Sequence, residues 1–380
     1  MRSEFQIGQK LFILPVLLCL VLLSCNLSQR MLEPLEEENE QTETPMEHFD
    51  SPAGVETRSS VLESVKTWLY LIDSALDTTL VESIRDSTYD LVVIDFARSE
   101  EGNTDFPMLE VIQNIKSGSH QKIVLAYIDI GEAEAYRTYW QPGWDIGDPE
   151  WIIGEDPDGW EENFPVAYWR DEWKEIWTGE EGYLDRIIED GFDGVYLDWV
   201  EAYSDEFVMD VAERDGVEPI QEMIWWVTEI ADFCRKRSSD FIVIAQNAAE
   251  LAEFSDYIGT IDAIAQEQVW FDGGADNDPP GDCPLPRTES LVDSDEYEQS
   301  LSPRCLRQYD EFPDSTLHTS SEEYLYYLNL AHEQGLPIFT VDYAQEPENV
   351  QWVYAASRSL GFIPFVGNRA LNQFVEPYRP

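Results

Sequence analysis

Eight short apolar runs alternate with segments of helical periodicity from about residue 61 onward. Runs that are apolar on both faces are typical of strands in a parallel sheet, and helices supply the connections such a sheet needs. Eight such units predict an α/β fold, the (β/α)8 TIM barrel, with an open doubly wound sheet as the alternative. No Gly-rich dinucleotide loop follows the first run, which disfavours that alternative. The predicted strands are residues 68–72, 91–96, 123–130, 194–200, 241–246, 261–269, 337–342 and 362–366.

Two long insertions interrupt this pattern. Residues 136–182 form a Trp-dense stretch after the third strand, and residues 272–320 form a polar stretch after the sixth. Loops of this length in a compact domain are usually functional or mobile. Because both follow the carboxyl ends of strands, we expect both at the face where barrel active sites are built.

The first 60 residues have a different character. A weakly basic start and the apolar run 11–23 predict a signal peptide over residues 1–24, because the run is too short to span a bilayer. The sequence Leu22-Leu23-Ser24-Cys25 resembles a bacterial lipobox, which predicts lipidation of Cys25 and a location in the cell envelope, lipid-anchored and facing the periplasm or the exterior. Residues 25–60 are acidic and poor in large apolar side chains, as expected of a disordered tether. The folded domain is predicted over residues 61–380.

Charge and cysteine content limit the partners and the compartment that the protein can have. The chain has 23 Lys and Arg against 77 Asp and Glu, a net charge of −54, so nucleic acid is excluded as a partner. An acidic cleft would attract a cationic substrate. The scarcity of Lys equally fits a surface that is acidic throughout, as in salt-adapted proteins. Cys283 and Cys305 flank a loop-like stretch and are expected to pair in an oxidising compartment, whereas Cys234 is expected to be a buried thiol.

Polar side chains gather where the predicted strands end. One such residue could simply cap the following helix. A ring of carboxylates is harder to explain by capping, because desolvated like charges repel one another. The four His residues are scattered, which disfavours zinc and the Ser-His-Asp arrangement. Glycoside hydrolysis by two carboxyls fits this ring, and a hard-cation site is the competing interpretation. The strand-end residues are Asp95, Asp129, Asp198, Asn247, Glu267 and Asp342.

Two segments carry a family resemblance. Residues 126–134 (AYIDIGEAE) and 191–199 (GFDGVYLDW), followed by Gln266-Glu267, resemble the endo-α-1,4-polygalactosaminidase family and its TM1410-type glycosidase relatives over about residues 63–370. The resemblance implies a TIM barrel with a catalytic Asp after strand four and a catalytic Glu after strand six, here Asp198 and Glu267. The sequence departs from that family at Asp129, where a Ser is expected, and in the long loop after strand six.

The leading hypothesis is a secreted, lipid-anchored, monomeric glycoside hydrolase that cleaves an α-1,4-linked amino-sugar polysaccharide internally. It needs no cofactor and no metal, and which carboxyl is the acid stays open. The alternatives are a lipoprotein that binds polysaccharide without cleaving it and a cation-dependent barrel hydrolase. The predicted substrate-binding residues are Asp95, Tyr127, Asp129, Glu132, Tyr196, Trp199, Asn247, Gln266, Asp342 and Tyr343.

Overall fold

The computed structural model describes residues 58, 61–157, 159–274, 281–313 and 315–379. Eight parallel strands pair in chain order, and a small antiparallel hairpin, β4 and β5, lies outside this sheet. The TIM-barrel prediction is confirmed, and each predicted strand contains an observed one. The strands are β1 (Trp68–Leu71), β2 (Leu91–Asp95), β3 (Ile123–Asp129), β4 (Glu132–Glu134), β5 (Asn163–Pro165), β6 (Gly194–Asp198), β7 (Ile242–Gln246), β8 (Ala263–Glu267), β9 (Ile338–Asp342) and β10 (Ile363–Val366).

Helices connect the strands and cover the barrel, since each parallel crossover must return the chain to the same end of the sheet. Within the described ranges they are α1 (Thr78–Asp86), α2 (Met108–Lys116), α3 (Asp171–Thr178), α4 (Tyr183–Glu189), α5 (Glu206–Asp215), α6 (Pro219–Arg235), α7 (Ser255–Thr260), α8 (Asp295–Ser300), α9 (Pro303–Glu311), α10 (Ser321–Glu333) and α11 (Pro347–Ser359).

Aromatic side chains fill the interior of the barrel and link its first strand to its last. The Trp68 indole on β1 donates a hydrogen bond of 2.9 Å to the Ile363 carbonyl on β10. Its ring packs against those of Tyr70, Tyr196 and Phe339 at centroid distances of 5.2–6.0 Å. The barrel is therefore a packed core below its mouth, and a ligand can enter only from the strand ends.

The two insertions fold into compact units. In the first, Trp140, Trp144 and Trp151 pack edge to face in succession at 5.0–5.5 Å, so these three rings belong to or pack against the core. In the second, a disulfide joins Cys283 to Cys305, 22 residues apart, inside a small apolar cluster. Cys234 is a buried thiol.

Arg58, which falls in the predicted tether, contacts the barrel domain. Its side chain is buried, and its Nε lies 2.8 Å from Asp262 Oδ1. The boundary at residue 60 stays a prediction. The predicted signal peptide and Cys25 lie outside the described residues. In the described ranges, no helix has both the length and the apolar composition to cross a bilayer.

Candidate active site

A cavity of about 1150 Å³ opens at the carboxyl ends of the barrel strands. Parallel strands place all these ends at one face, so residues far apart in the chain meet there. Six Asp, eight Glu and two Arg side chains line the cavity, and the two Arg are Arg137 and Arg369. This site is strongly acidic before any ligand is considered.

The chain leaves three neighbouring strands through left-handed backbone. Trp199, Asn247 and Gln268 have φ of 55°, 59° and 56° directly after β6, β7 and β8. Such conformations are costly for residues with a Cβ and are characteristic of functional sites. Gly131 allows another close approach, because a Cβ there would lie 2.5 Å from the Trp199 carbonyl oxygen. These turns direct the strand-end side chains over the mouth of the barrel.

Asp198 ends β6 at the base of the cavity. The Tyr127 hydroxyl donates to its Oδ2 at 2.5 Å, and the Trp199 backbone N–H donates to its Oδ1 at 2.9 Å. Burial, and after it the charge of Glu267, raise the pKa of Asp198 to about 7. These two donors oppose the rise. A carboxyl of this kind can hold a proton near neutral pH, which is the property that glycosidic acid catalysis requires.

Glu267 ends β8 and is held from both sides. Gln246 Nε2 donates to its Oε2 at 2.7 Å, and the Tyr343 hydroxyl donates to its Oε1. The Glu267 backbone N–H donates to Asn247 Oδ1 at 3.0 Å. The Gln246 and Tyr343 donors are neutral and orient this carboxylate. Asp198 and Glu267 thus form a coupled pair in which ionisation of one opposes ionisation of the other.

This coupling gives a first prediction. Glu267→Gln should lower the pKa of Asp198 because it removes the nearby negative charge, while burial should keep that pKa above its ordinary value of 3.8. Carboxyl ¹³C chemical shifts followed against pH in protein labelled at Asp measure this directly. Glu189→Gln, an exposed change on α4, should leave the Asp198 titration as it is. An unchanged titration in Glu267→Gln would show that the two carboxyls are not coupled.

Further carboxyls lie on the Asp198 side of the cavity. Asp129 is the strand partner of Asp198, and its Oδ1 accepts from the Gly131 and Glu132 backbone N–H groups at 3.0 and 2.8 Å. Glu132 is buried, and its Oε1 has no hydrogen-bond partner in the described part of the chain. Burial raises the pKa of both carboxyls well above the ordinary range. An unpaired acceptor at the cavity wall suits a ligand that brings a cation or a hydroxyl donor.

Arg137, one of the two cavity arginines, is already neutralised. Its Nη1 lies 2.9 Å from both oxygens of Asp95, and its Nε lies 2.7 Å from Glu134 Oε2. Asp95 was predicted to bind substrate, and it does line the cavity, but both its oxygens serve this ion pair. This network holds the β4–β5 hairpin against the end of β2.

Two predicted substrate-binding residues do not reach the cavity. Tyr196 points into the barrel, where its ring lies 4.8 Å from that of Tyr70. Asp342 is fully buried, and its Oδ1 accepts the backbone N–H groups of Trp270 and Phe271 at 2.7 and 3.0 Å. One side chain faces the core and the other holds the chain after β8, so neither lines the cavity, and their part in substrate binding stays a prediction. The predicted residues that line the cavity are Asp95, Tyr127, Asp129, Glu132, Asp198, Trp199, Asn247, Gln266, Glu267 and Tyr343.

The structure also adds residues that the sequence analysis missed. Glu201 lies three residues after Asp198 in a 3₁₀ turn, and its Oε1 accepts from Asn247 Nδ2 at 2.5 Å. Gln246 and Tyr70 enter from β7 and β1, and their side chains bond to each other at 2.8 Å. The alternation of β1, with Trp68 and Tyr70 on one face, could have indicated Tyr70. Arg369 had no such signal.

Together the barrel and the carboxyl pair at its mouth define a carbohydrate-cleaving type of protein. In the described ranges, no group of three or more His, Cys, Asp or Glu side chains is arranged to hold a metal ion. The chain belongs to glycoside-hydrolase family GH114, whose family model matches residues 51–379. The resemblance to the endo-α-1,4-polygalactosaminidase family is thereby confirmed, and the protein is a glycoside hydrolase.

Individual relatives cover much of the chain. An uncharacterized protein of Deinococcus radiodurans is 30% identical over 319 residues, which are 84% of this chain and 85% of the relative. An uncharacterized protein of Thermotoga maritima is 34% identical over 206 residues, which are 54% of this chain and 60% of the relative. The glycoside hydrolase domain of PelA from Pseudomonas aeruginosa has a TM-score of 0.51 at 14% identity, covering 82% of this chain and 97% of that domain. At that identity the likeness concerns the fold.

Proposed function

We propose that this glycoside hydrolase cleaves an α-1,4-linked, galactosamine-type polysaccharide internally, with Asp198 and Glu267 as its two catalytic carboxyls. The observation that carries the proposal is their placement. Both end strands at the barrel mouth, both line one cavity, and the pKa of Asp198 is raised to about 7 by burial and then by the charge of Glu267. One carboxyl of such a pair can donate a proton while the other acts as base or nucleophile.

An amino sugar fits the electrostatics of the cavity. A deacetylated sugar carries an ammonium group, and fourteen carboxylates line the site against two arginines, one of which is fully paired. Asp129 and Glu132 adjoin Asp198 and offer acceptors to such a group. Tyr127, Trp199 and Tyr343 line the same space, and the half-buried Trp199 offers a ring surface to a pyranose. The endo-α-1,4-polygalactosaminidase family, which the sequence resembles, is named for the same class of polymer.

The direct test is to incubate the protein with partly deacetylated galactosamine polymer and to follow the released oligosaccharides by mass spectrometry. Endo-cleavage gives a ladder of intermediate lengths from the first time points. Release of monosaccharide alone would reject internal cleavage, and an intact polymer would reject the substrate class. Chitosan and polygalacturonate of matched length serve as controls for linkage and charge.

We also propose that the protein is exported and anchored by lipid at Cys25, with residues 25–60 as an acidic spacer. The disulfide between Cys283 and Cys305 supports an oxidising compartment, where such bonds persist. A polysaccharide substrate outside the cytoplasm agrees with that location.

A second prediction follows for Cys25. Cys25→Ser should move the protein from the membrane fraction to the soluble fraction of the envelope or the medium, because the thiol that carries the lipid is gone. Fractionation, together with labelling by an alkyne fatty acid, measures both effects. Cys234→Ser is the matched control, since that thiol is buried inside the barrel domain. Equal membrane retention of Cys25→Ser and the wild type would reject the anchor.

A further inference from the structure

Arg369 is the one cavity arginine whose side chain has no carboxylate partner among the described residues. It lies three residues after β10 and lines the acidic cavity. Its Nε is buried and has no hydrogen-bond partner in the part of the chain that the structure describes. A buried donor left unpaired costs free energy unless a ligand pairs it. In a chain with 77 acidic residues, an arginine without a carboxylate in the substrate cavity needs an explanation.

A tryptophan from a distant part of the chain meets this arginine. The Arg369 guanidinium lies 4.8 Å from the centre of the Trp160 ring. Trp160 belongs to the connection between β4 and β5, keeps 36% of its surface exposed and also lines the cavity. A guanidinium stacked on an aromatic face is held in position, yet the donors at its edge stay open to a ligand. The two residues therefore form one stretch of the cavity wall, in which the indole packs against the guanidinium.

Arg369 lies on the side of the cavity that carries Tyr343. The Val366 partner on β9 is Asp342, so the segment after β10 runs beside Tyr343. Burial raises the pKa of Tyr343 well above its ordinary value, and the positive charge of Arg369 opposes that rise. The Tyr343 hydroxyl in turn donates to Glu267. Arg369 is therefore close to Tyr343, which bonds to Glu267, whereas Asp129 and Glu132 lie on the Asp198 side of the cavity.

The chemistry of the wall limits what it binds. An ammonium group is repelled by the guanidinium. An anionic sugar is repelled by the carboxylates of the remaining cavity wall. A neutral carbonyl oxygen meets neither penalty and accepts N–H groups of the guanidinium.

From these contacts we propose that Arg369 and Trp160 form a subsite for a neutral, N-acetylated sugar in the cavity that also holds Glu267. The acetamido carbonyl accepts from Arg369, and the sugar face lies on Trp160. The proposal rests on the proposed function and goes beyond it: the enzyme would read the acetylation pattern and cut partly acetylated chains in preference to fully deacetylated ones.

Oligosaccharides of equal length test this. One is fully deacetylated, and the others each carry a single N-acetyl group at a different position. The wild type should have the higher kcat/KM for an acetylated oligomer, with the acetylated unit at one fixed position relative to the cut. Arg369→Met should lower the ratio of kcat/KM values, acetylated over deacetylated, about tenfold, which is the effect of losing one charge-assisted hydrogen bond. Arg369→Gln keeps an N–H donor and should lower the ratio less. Arg214→Met, on the exposed face of α5, should leave it unchanged.

Several results would overturn the subsite. They are a wild type that prefers the deacetylated oligomer, an acetylated unit found at random positions, and an unchanged ratio in Arg369→Met. If the wild type cleaves neither oligomer, the proposed function fails, and calorimetry with the same pair still decides the subsite. If Arg369→Met weakens binding of the acetylated oligomer, the subsite stands. If both proteins bind that oligomer equally well, the subsite is rejected.

Discussion

Glu267→Gln is expected to lower kcat on the cleaved polymer by about 10³-fold or more, because the amide can neither exchange a proton nor attack the anomeric carbon. Asp198→Asn should cost a similar factor. The substitutions are nearly isosteric, and the Tyr343 and Gln246 side chains that hold Glu267 stay in place. KM should change far less than kcat, since the lost interactions belong to the transition state. Initial rates of reducing-end formation give both parameters.

Controls separate chemistry from folding. Glu189→Gln removes one negative charge from the exposed face of α4 and should retain full activity. Thermal unfolding of all variants should be close to that of the wild type, or higher for Asp198→Asn, because that change removes a buried ionisable group. If Glu267→Gln keeps its structure and more than a tenth of the wild-type kcat, Glu267 is not one of the two carboxyls. Rescue of one variant by azide would identify the residue that acts as nucleophile or base.

The strand pattern could be predicted because it depends on burial alone. Every strand of the barrel is apolar on both faces, so the runs at 91–96 and 241–246 stand out from their polar surroundings. The same pattern places Asp198 and Glu267 correctly, since a polar residue directly after such a run must lie at the strand end. Those parts of the site follow from local sequence and the geometry of a parallel sheet.

The remaining residues depend on contacts that local sequence does not encode. Arg369 and Trp160 meet across the cavity although they come from the segment after β10 and from the first insertion. Asp342 occupies a strand end like the two proposed catalytic residues, yet its side chain turns to the backbone of Trp270 and Phe271. Position at a strand end therefore predicts the face of the barrel, but not whether a side chain points into the cavity or along its rim.

The second large effect is expected at Asp342, where ionisation should change the stability of the protein with pH and not its catalysis. Burial raises its pKa from an ordinary 3.8 to about 8. Between these values the folded protein keeps a proton that the unfolded chain releases. The free energy of unfolding should therefore decrease as the pH rises from 4 to 8, by up to about 1.4 kcal/mol for each pH unit from this group, and level off above its folded pKa. Asp198, with a pKa of about 7, adds to the decrease over pH 4–7.

Asp342→Asn should remove the Asp342 contribution, because an amide does not titrate and its oxygen can still accept the Trp270 and Phe271 N–H groups. Relative to the wild type, this variant should gain stability steadily from pH 5 to pH 8, by a few kcal/mol in all. Urea unfolding at fixed temperature across this range measures the difference. Asp240→Asn at an exposed site should follow the wild-type curve. A constant difference between Asp342→Asn and wild type at every pH would mean that Asp342 is ionised in the folded state, and that two backbone N–H bonds compensate for its burial.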